Sequence, residues 1–348
     1  MATCARRCSR AIWSSPSVPA TSGRSARNSS PGLRSASRVD RRLLDELAHR
    51  CRGELLRDEP LWRHTSWQVG GPAAVLFRPA NHVDLVKAVR LIDAAGCPRL
   101  VIGGGSNLLV RDGGFPGVVL ELPDFNVVRI AGDGLVEAEA GVRLNSLIKQ
   151  LVAAGLGGLE ALAGIPGSVG GALVMNAGAG SQEFGRVVEA VEILSGETFA
   201  WRPAAELAFA YRHARLAPGD IVTAVRLRLV PGDPELLQAA YAERIGHRRQ
   251  AHAVGGPSAG SVFKNPPGQK AWELIAGCGW QGRSIGGARV SERHANFIIN
   301  AGGAMAADIE ALIEAIRSDV ERQTGVRLEA EVRIVGAPAA TGPGCEGA

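Results

Sequence analysis

Apolar residues recur along this chain with two periods, one near 3.6 and one near 2, and the alternation between them predicts the elements. Over 39–51, Leu43, Leu44, Leu47 and Ala48 share one helical face, which predicts a first amphipathic helix. The same spacing predicts helices over 83–95, where Leu85, Val86, Val89 and Ile92 align, and over 144–154, stopped at Gly155. Residues 234–250 read as a polar helix at a domain junction, 272–276 as a short helix, and 306–324 as the clearest helix of all. Short apolar runs predict strands at 74–77, 99–102, 118–121, 127–130, 135–140, 187–194 and 221–229. Further strands are predicted near Arg289, at 296–299 and at 330–335. No internal repeat interrupts this order. Helices and short strands that alternate throughout indicate an α+β or α/β protein.

Composition narrows the function classes. The 348 residues are 46% hydrophobic and 21% charged, which describes a globular chain. The net charge of +5 resembles a nucleic-acid signal, but residues 1–38 hold seven arginines and no acid. Without those seven charges the remainder stands at −2, so a basic-groove argument has no footing. The same segment is Arg- and Ser-rich and lacks an apolar core, so it is no secretory signal; it has the composition of a transit peptide or a disordered tail. Cys4, Cys8, Cys51, Cys97, Cys278 and Cys345 are scattered, without metal spacing, and reduced thiols in the cytoplasm are the simplest account. The uncharged run 161–182 is long enough to span a bilayer, but its six glycines, Pro166 and Asn176 argue for buried loop and turn instead.

Five stretches carry candidate chemistry. Gly103-Gly104-Gly105-Ser106-Asn107 follows a strand and precedes another, so successive N–H groups can face an anion; a plain hairpin is the alternative. It matches neither a dinucleotide fingerprint, which needs a helix after the turn, nor a phosphate loop ending in Gly-Lys. The glycines from Gly164 to Gly180 suit a flat ligand against backbone, or a tight crossing of two strands. Tyr211-Arg212 can hold a carboxylate or phosphate, though a surface ion pair is the commoner fate of an arginine. In 258–268, Ser261, Lys264 and Asn265 are fenced by Gly and Pro. Only Lys87, Lys149, Lys264 and Lys270 are lysines, so a compact ammonium in that loop is notable; a solvated connection is the alternative. Finally, 329–334 reads as a strand with Glu329, Glu331 and Arg333 on one face and Ala330, Val332 and Ile334 on the other. Glu331 and Arg333 would then lie about 7 Å apart.

Taken in order, these segments resemble the UDP-N-acetylenolpyruvoylglucosamine reductases, flavoenzymes of bacterial cell-wall precursor synthesis. The resemblance runs from about His64 to Gly336. It rests on Thr65 with Gly70-Gly71-Pro72-Ala73, the turn from Gly103 to Leu109, Gly164 to Gly178, Tyr211-Arg212, Gly260 to Pro266, Ile285-Gly286-Gly287 and Glu331-Val332-Arg333. The first three are similar to the vanillyl-alcohol-oxidase type of FAD domain, which several oxidases share; the last four are particular to the reductase. The resemblance implies an α+β fold, with an FAD-binding domain of two α/β subdomains over 39–232, split near 110–120. A C-terminal α+β substrate domain over 233–337 and a flexible tail at 338–348 would follow.

The same resemblance implies two cofactors, FAD and NADPH, and no metal. FAD contacts would come from Gly103, Gly104, Gly105, Ser106, Asn107, Leu108, Ile165, Gly170, Gly171 and Arg333. Hydride would pass from flavin N5 to C3 of the substrate's enolpyruvyl group, Ser261 would protonate C2, and Arg212 and Glu331 would complete the catalytic set. Tyr211, Arg248, Lys264 and Asn265 would bind the UDP-sugar. Glu331 can serve only if protonated or hydrogen-bonded at the substrate carboxylate, so burial and a nearby anion are expected to raise its pKa. The partner is a small molecule rather than nucleic acid or membrane, and the enzyme is expected to be a cytoplasmic monomer. Members often carry an aromatic or a His-Gly pair after Asn-Ala-Gly-Ala, whereas this chain continues Gly180-Ser181-Gln182-Glu183. No long insertion with an extra tyrosine separates Tyr211 from Ser261, which resembles the shorter subtype and leaves Arg244, Arg248 and Arg249 as candidates for the diphosphate. A flavin oxidase with the same FAD domain, or a nucleotide-binding protein without chemistry, are the rival readings.

Overall fold

Asp40 accepts a hydrogen bond from the Arg42 N–H and starts α1 (Arg41–Arg50), which buries Leu43 and Leu47. The computed structural model describes residues 39–339 other than 181, 252 and 253. All of these belong to one compact unit, Ser35–Ala348. The basic segment 1–38 and positions 340–348 of the tail lie outside the described residues. After α1 come β1 (Glu54–Pro60), β2 (Pro72–Arg78), α2 (His82–Ala94), β3 (Arg99–Ile102), β4 (Leu108–Val110) and β5 (Phe115–Glu121). Four of them form a sheet in the order β1-β2-β5-β3. The pattern at 74–77 and 118–121 gave the buried centre of β2 and β5 but not β1. That strand reads Glu-Leu-Leu-Arg-Asp-Glu-Pro, without an apolar face, because it is an edge strand paired only with β2. Charge and proline at an edge discourage pairing with other chains.

The central part adds β6 (Val128–Ile130), β7 (Leu135–Glu139), α3 (Leu144–Ala153), β8 (Leu156–Gly157) and α4 (Val169–Val174). Next are β9 (Gly178–Ala179), β10 (Gln182–Glu183), β11 (Val188–Ser195), β12 (Thr198–Pro203), β13 (Ile221–Arg228) and β14 (Val230–Pro231). Five strands pair in the order β12-β11-β13-β7-β6. Helix α4 corrects the expectation of loop and turn across 161–182. Ser168 caps it by accepting from Gly171 N–H at 3.2 Å. A Cβ on Gly170 would lie 2.9 Å from Ala140 Cβ. Close approach to the end of β7 thus outweighs the ~1 kcal/mol that glycine costs inside a helix.

The last third holds α5 (Pro234–Ala251), α6 (Ala271–Gly277), β15 (Ser284–Ile285), β16 (Ala288–Val290), β17 (Ile298–Asn300), α7 (Ala306–Thr324) and β18 (Arg333–Val335). Helix α7 buries Ile309, Leu312, Ile313, Ile316 and Val320, the spacing anticipated from the sequence. Its core also contains Trp67, Val69 and Leu109 from the first third. The expected strand at 330–335 is shorter than the pattern suggests. Only β18 pairs as a strand, parallel to β4 with Arg333 opposite Leu108. Residues 329–331 face a different neighbour, and that difference builds the site.

Candidate active site

The glycine turn after β3 is held in place by backbone on two sides. Gly105 has φ +60°, and a Cβ there would lie 1.8 Å from the His64 carbonyl oxygen. A Cβ on Gly104 would meet Gly167 Cα at 2.8 Å, so the two glycine-rich walls touch each other directly. Ser106 Oγ adds a hydrogen bond to the Pro166 carbonyl at 3.0 Å. Among the described residues, the N–H groups of Gly104, Gly105 and Ser106 meet no acceptor. Unpartnered N–H groups on successive residues suit a phosphate. Behind the turn, His64 lies between Glu59 at 3.1 Å and Glu121 at 3.5 Å. The Glu121 hydrogen bond raises the pKa of His64, against the opposing effect of burial.

Asn107 joins this turn to the end of the chain. Its Nδ2 donates to the Glu331 carbonyl at 3.1 Å and contacts Met175 Sδ at 3.4 Å. Its own carbonyl accepts from Arg333 N–H at 3.1 Å. Leu108 pairs with Arg333 through backbone, and the Arg333 side chain is exposed. The other expected cofactor residues use their backbone within the wall. Gly170 N–H bonds to the Ala140 carbonyl and Ile165 N–H to that of Leu162.

Residues 261–264 and 329–331 form an antiparallel pair. Glu331 N–H donates to the Val262 carbonyl at 2.7 Å and Lys264 N–H to the Glu329 carbonyl at 2.9 Å. On the other edge, Asn296 imitates a strand. Its Oδ1 accepts from Phe263 N–H at 2.9 Å and its Nδ2 donates to the Phe263 carbonyl at 2.8 Å. This two-sided clamp sets the position of Ser261. It also aligns the Glu331 backbone with Val262, while Arg333 pairs with Leu108. The permanent cation at Glu331 is Arg212, whose Nε donates to Oε1 at 2.8 Å.

Arg212 reaches that position from a tight turn in which Ala210 and His213 exchange backbone hydrogen bonds of 2.9 and 3.0 Å. Its φ is +57°, where glycine is the usual residue. A second guanidinium hydrogen bond goes to the Gly178 carbonyl at 3.1 Å, and the group lies 4.9 Å from the centre of the exposed Tyr211 ring. Burial pushes the Glu331 carboxyl above its ordinary range, while Arg212 and Lys264 pull the other way. The raised direction matches the expectation from sequence, though only burial accounts for it.

The remaining residues differ in what they already hold. Arg248 lies against Gly164, where a Cβ would sit 2.7 Å from its Cδ. Burial lowers its pKa, and so do Arg212 and Arg244, which brings three guanidinium groups to one region. Lys264 Nζ pairs with Glu329 at 2.5 Å. Asn265 Oδ1 accepts from Ala271 N–H at 3.0 Å and so fixes the start of α6. Sequence reasoning gave no site role to Asn176 and Asn296, both buried polar residues whose amides hydrogen-bond neighbouring backbone. The available signal was an amide inside an apolar or glycine-rich run.

Two family models match the chain. One, described as an FAD binding domain, covers residues 72–197. The other, described as the C-terminal domain of UDP-N-acetylenolpyruvoylglucosamine reductase, covers 250–335. The chain is 45% identical over 289 residues to the reductase of that name from Syntrophotalea carbinolica, covering 82% of this chain and 97% of the relative. It is 48% identical over 295 residues to the Geobacter metallireducens reductase, covering 84% and 98%. Among solved structures, UDP-N-acetylenolpyruvylglucosamine reductase from Thermus caldophilus superposes with a TM-score of 0.70 at 37% identity, covering 82% of this chain and 99% of that one.

Proposed function

The chain belongs to the UDP-N-acetylenolpyruvoylglucosamine reductase family, and from that premise we propose how its own residues carry the reaction. It is an FAD-dependent oxidoreductase that reduces the enolpyruvyl ether of UDP-N-acetylglucosamine in peptidoglycan precursor synthesis. Bound FAD, renewed by NADPH, would supply the hydride, a hydrogen with its electron pair, that enolpyruvyl C3 receives. The N–H groups of Gly104, Gly105 and Ser106, which meet no acceptor among the described residues, suit the FAD pyrophosphate.

The observation that carries the residue assignment is the Arg212–Glu331 pair beside the clamped Ser261 segment. As electrons arrive at C3, negative charge builds on C2 and its carboxylate. Preorganised cations and donors lower such a barrier by about 3–4 kcal/mol each. Arg212 faces the carboxylate, and Glu331, whose carboxyl burial pushes above its ordinary range, hydrogen-bonds the same group when it carries its proton. Ser261 passes its hydroxyl proton to C2. Arg248 and Lys264 take the diphosphate, with Tyr211 and Asn265 beside them. Lys264 must leave Glu329 to do so, which costs little because exposed ion pairs contribute only about 0–1 kcal/mol. Domain limits at 39–232 and 233–337, a monomeric state and a cytoplasmic location belong to the same proposal. Free thiols at Cys51, Cys97 and Cys278 support the location. Among the described residues, no helix is long and apolar enough to cross a membrane.

Anaerobic holoenzyme is expected to bleach at its flavin bands with NADPH and to recover them when the enolpyruvyl substrate is added. A flavin that stays reduced overturns the proposal. Ser261→Ala is expected to keep the first half-reaction and slow the second by ~100-fold or more. Equal loss of both halves would make Ser261 structural.

A further inference from the structure

We propose that Asn176 is the positioning residue for Arg212, and that oxidation of the reduced flavin by substrate depends on it; the inference rests on the functional reading above. Asn176 is 1% exposed and has φ +40°, a left-handed backbone that asparagine adopts more readily than most residues. Its carboxamide is fully engaged. Oδ1 accepts from Gly185 N–H at 2.9 Å, and Nδ2 donates to Glu183 Oε2 at 3.0 Å and to the Ala210 carbonyl at 2.9 Å.

Ala210 opens the turn that carries Arg212. Just past its other end, Ala214 N–H donates to the Val174 carbonyl at 3.3 Å. Both feet of the turn are therefore tied to residues 174–176. Between them Arg212 sits at φ +57°, a left-handed conformation that L residues other than glycine rarely hold unaided. An anchor outside the turn has to maintain that state. The tip of Arg212 then lands on Glu331 Oε1 and on the Gly178 carbonyl, two residues beyond Asn176. One short segment thus fixes the root of the turn through a side chain and receives the guanidinium through a carbonyl. Removing the carboxamide leaves the Ala210 carbonyl with His213 N–H alone, a donor inside the turn that ties it to nothing outside. The turn can then relax toward negative φ and draw the guanidinium off Glu331.

The test is a double-mutant cycle in holoenzyme, with Asn176→Gly, Arg212→Ala and the pair. Glycine keeps the positive φ, so only the carboxamide is lost. Asn176→Gly is expected to retain FAD and its reduction by NADPH, and to slow reoxidation by the enolpyruvyl substrate by ~10-fold or more. In the Arg212→Ala background that loss should shrink to less than about 2-fold, the signature of two residues acting through one interaction. Losses that multiply, or equal slowing of both half-reactions, overturn the inference. Should Asn176→Gly not fold, Asn176→Asp, which keeps an acceptor for Gly185, is judged by the same cycle. If neither folds, Asn176 is a folding residue and the inference falls. A wild type that cannot reoxidise its flavin with substrate removes the functional reading and the inference with it. A wild type that turns over beside multiplying losses removes the inference alone.

Discussion

Glu331 places a carboxyl where burial and an adjacent arginine act in opposite directions, and burial prevails. Its folded pKa therefore lies above the ordinary value of 4.5. Between those two values the native protein holds a proton that the unfolded chain has released, so stability falls as pH rises across that window. Glu331→Gln is neutral throughout and should remove this slope. Urea midpoints of both proteins across the window check it: parallel pH dependence would show that Glu331 titrates normally. Ser261, Arg212 and Glu331 stood out in the sequence as candidates because each lies in a distinctive short motif, and the structure brings Arg212 and Glu331 together. Their pairing was not legible there. A strand pattern over 329–334 put Arg333 beside Glu331, whereas the hydrogen bonds to Val262 and the reach of Arg212 across 119 residues are tertiary facts. Asn176 received no site role for a related reason, since its partners Gly185 and Ala210 are not adjacent in sequence.

At the scale of elements, the glycine turn after β3 shows where backbone geometry outranks side-chain chemistry. Gly105 and Gly196 both have φ +60°, but a Cβ on Gly105 would strike the His64 carbonyl while one on Gly196 would meet nothing within 4 Å. Gly196→Ala should cost only the left-handed penalty of ~1–2 kcal/mol. Gly105→Ala should cost more and lose FAD, because the turn must move away from residues 64–66 and misdirect its N–H groups. Thermal melts and the flavin content of the purified variants decide it; equal costs would show that the His64 contact yields freely. Periodicity located the buried strands and the long helices well, because burial writes itself into spacing. It missed β1 and β12, which lie at sheet edges, β1 with charged residues along it. It also missed α4, where glycines chosen for close packing conceal the helix.

Across the molecule, the C-terminal third is fastened to the glycine turn through β4 and the residues that follow it. Strand β18 runs beside β4, and Trp67, fully buried, donates its Nε1–H to the Ile298 carbonyl at 2.7 Å. Arg111 grips Glu310 with Nε and Nη2 at 2.9–3.1 Å. Asp112 accepts from the N–H groups of Ala306 and Ala307 at 2.8 and 2.9 Å, the first turn of α7. A carboxylate there also meets the positive end of a 19-residue helix dipole. Glu331 and the cofactor turn are thus held in one frame, since both hang from β4. Losing a capping side chain typically costs about 1 kcal/mol, and here the cap comes from another part of the chain. Asp112→Ala is therefore expected to lower stability by roughly that amount and to act locally, raising amide hydrogen exchange along α7 while α3 keeps its protection. If α3 and α7 lose protection together, the unit opens only as a whole and Asp112 contributes to global stability alone. If α7 opens first, FAD should still bind, because the N–H donors of Gly104, Gly105 and Ser106 are held by His64 and Gly167 and not by α7.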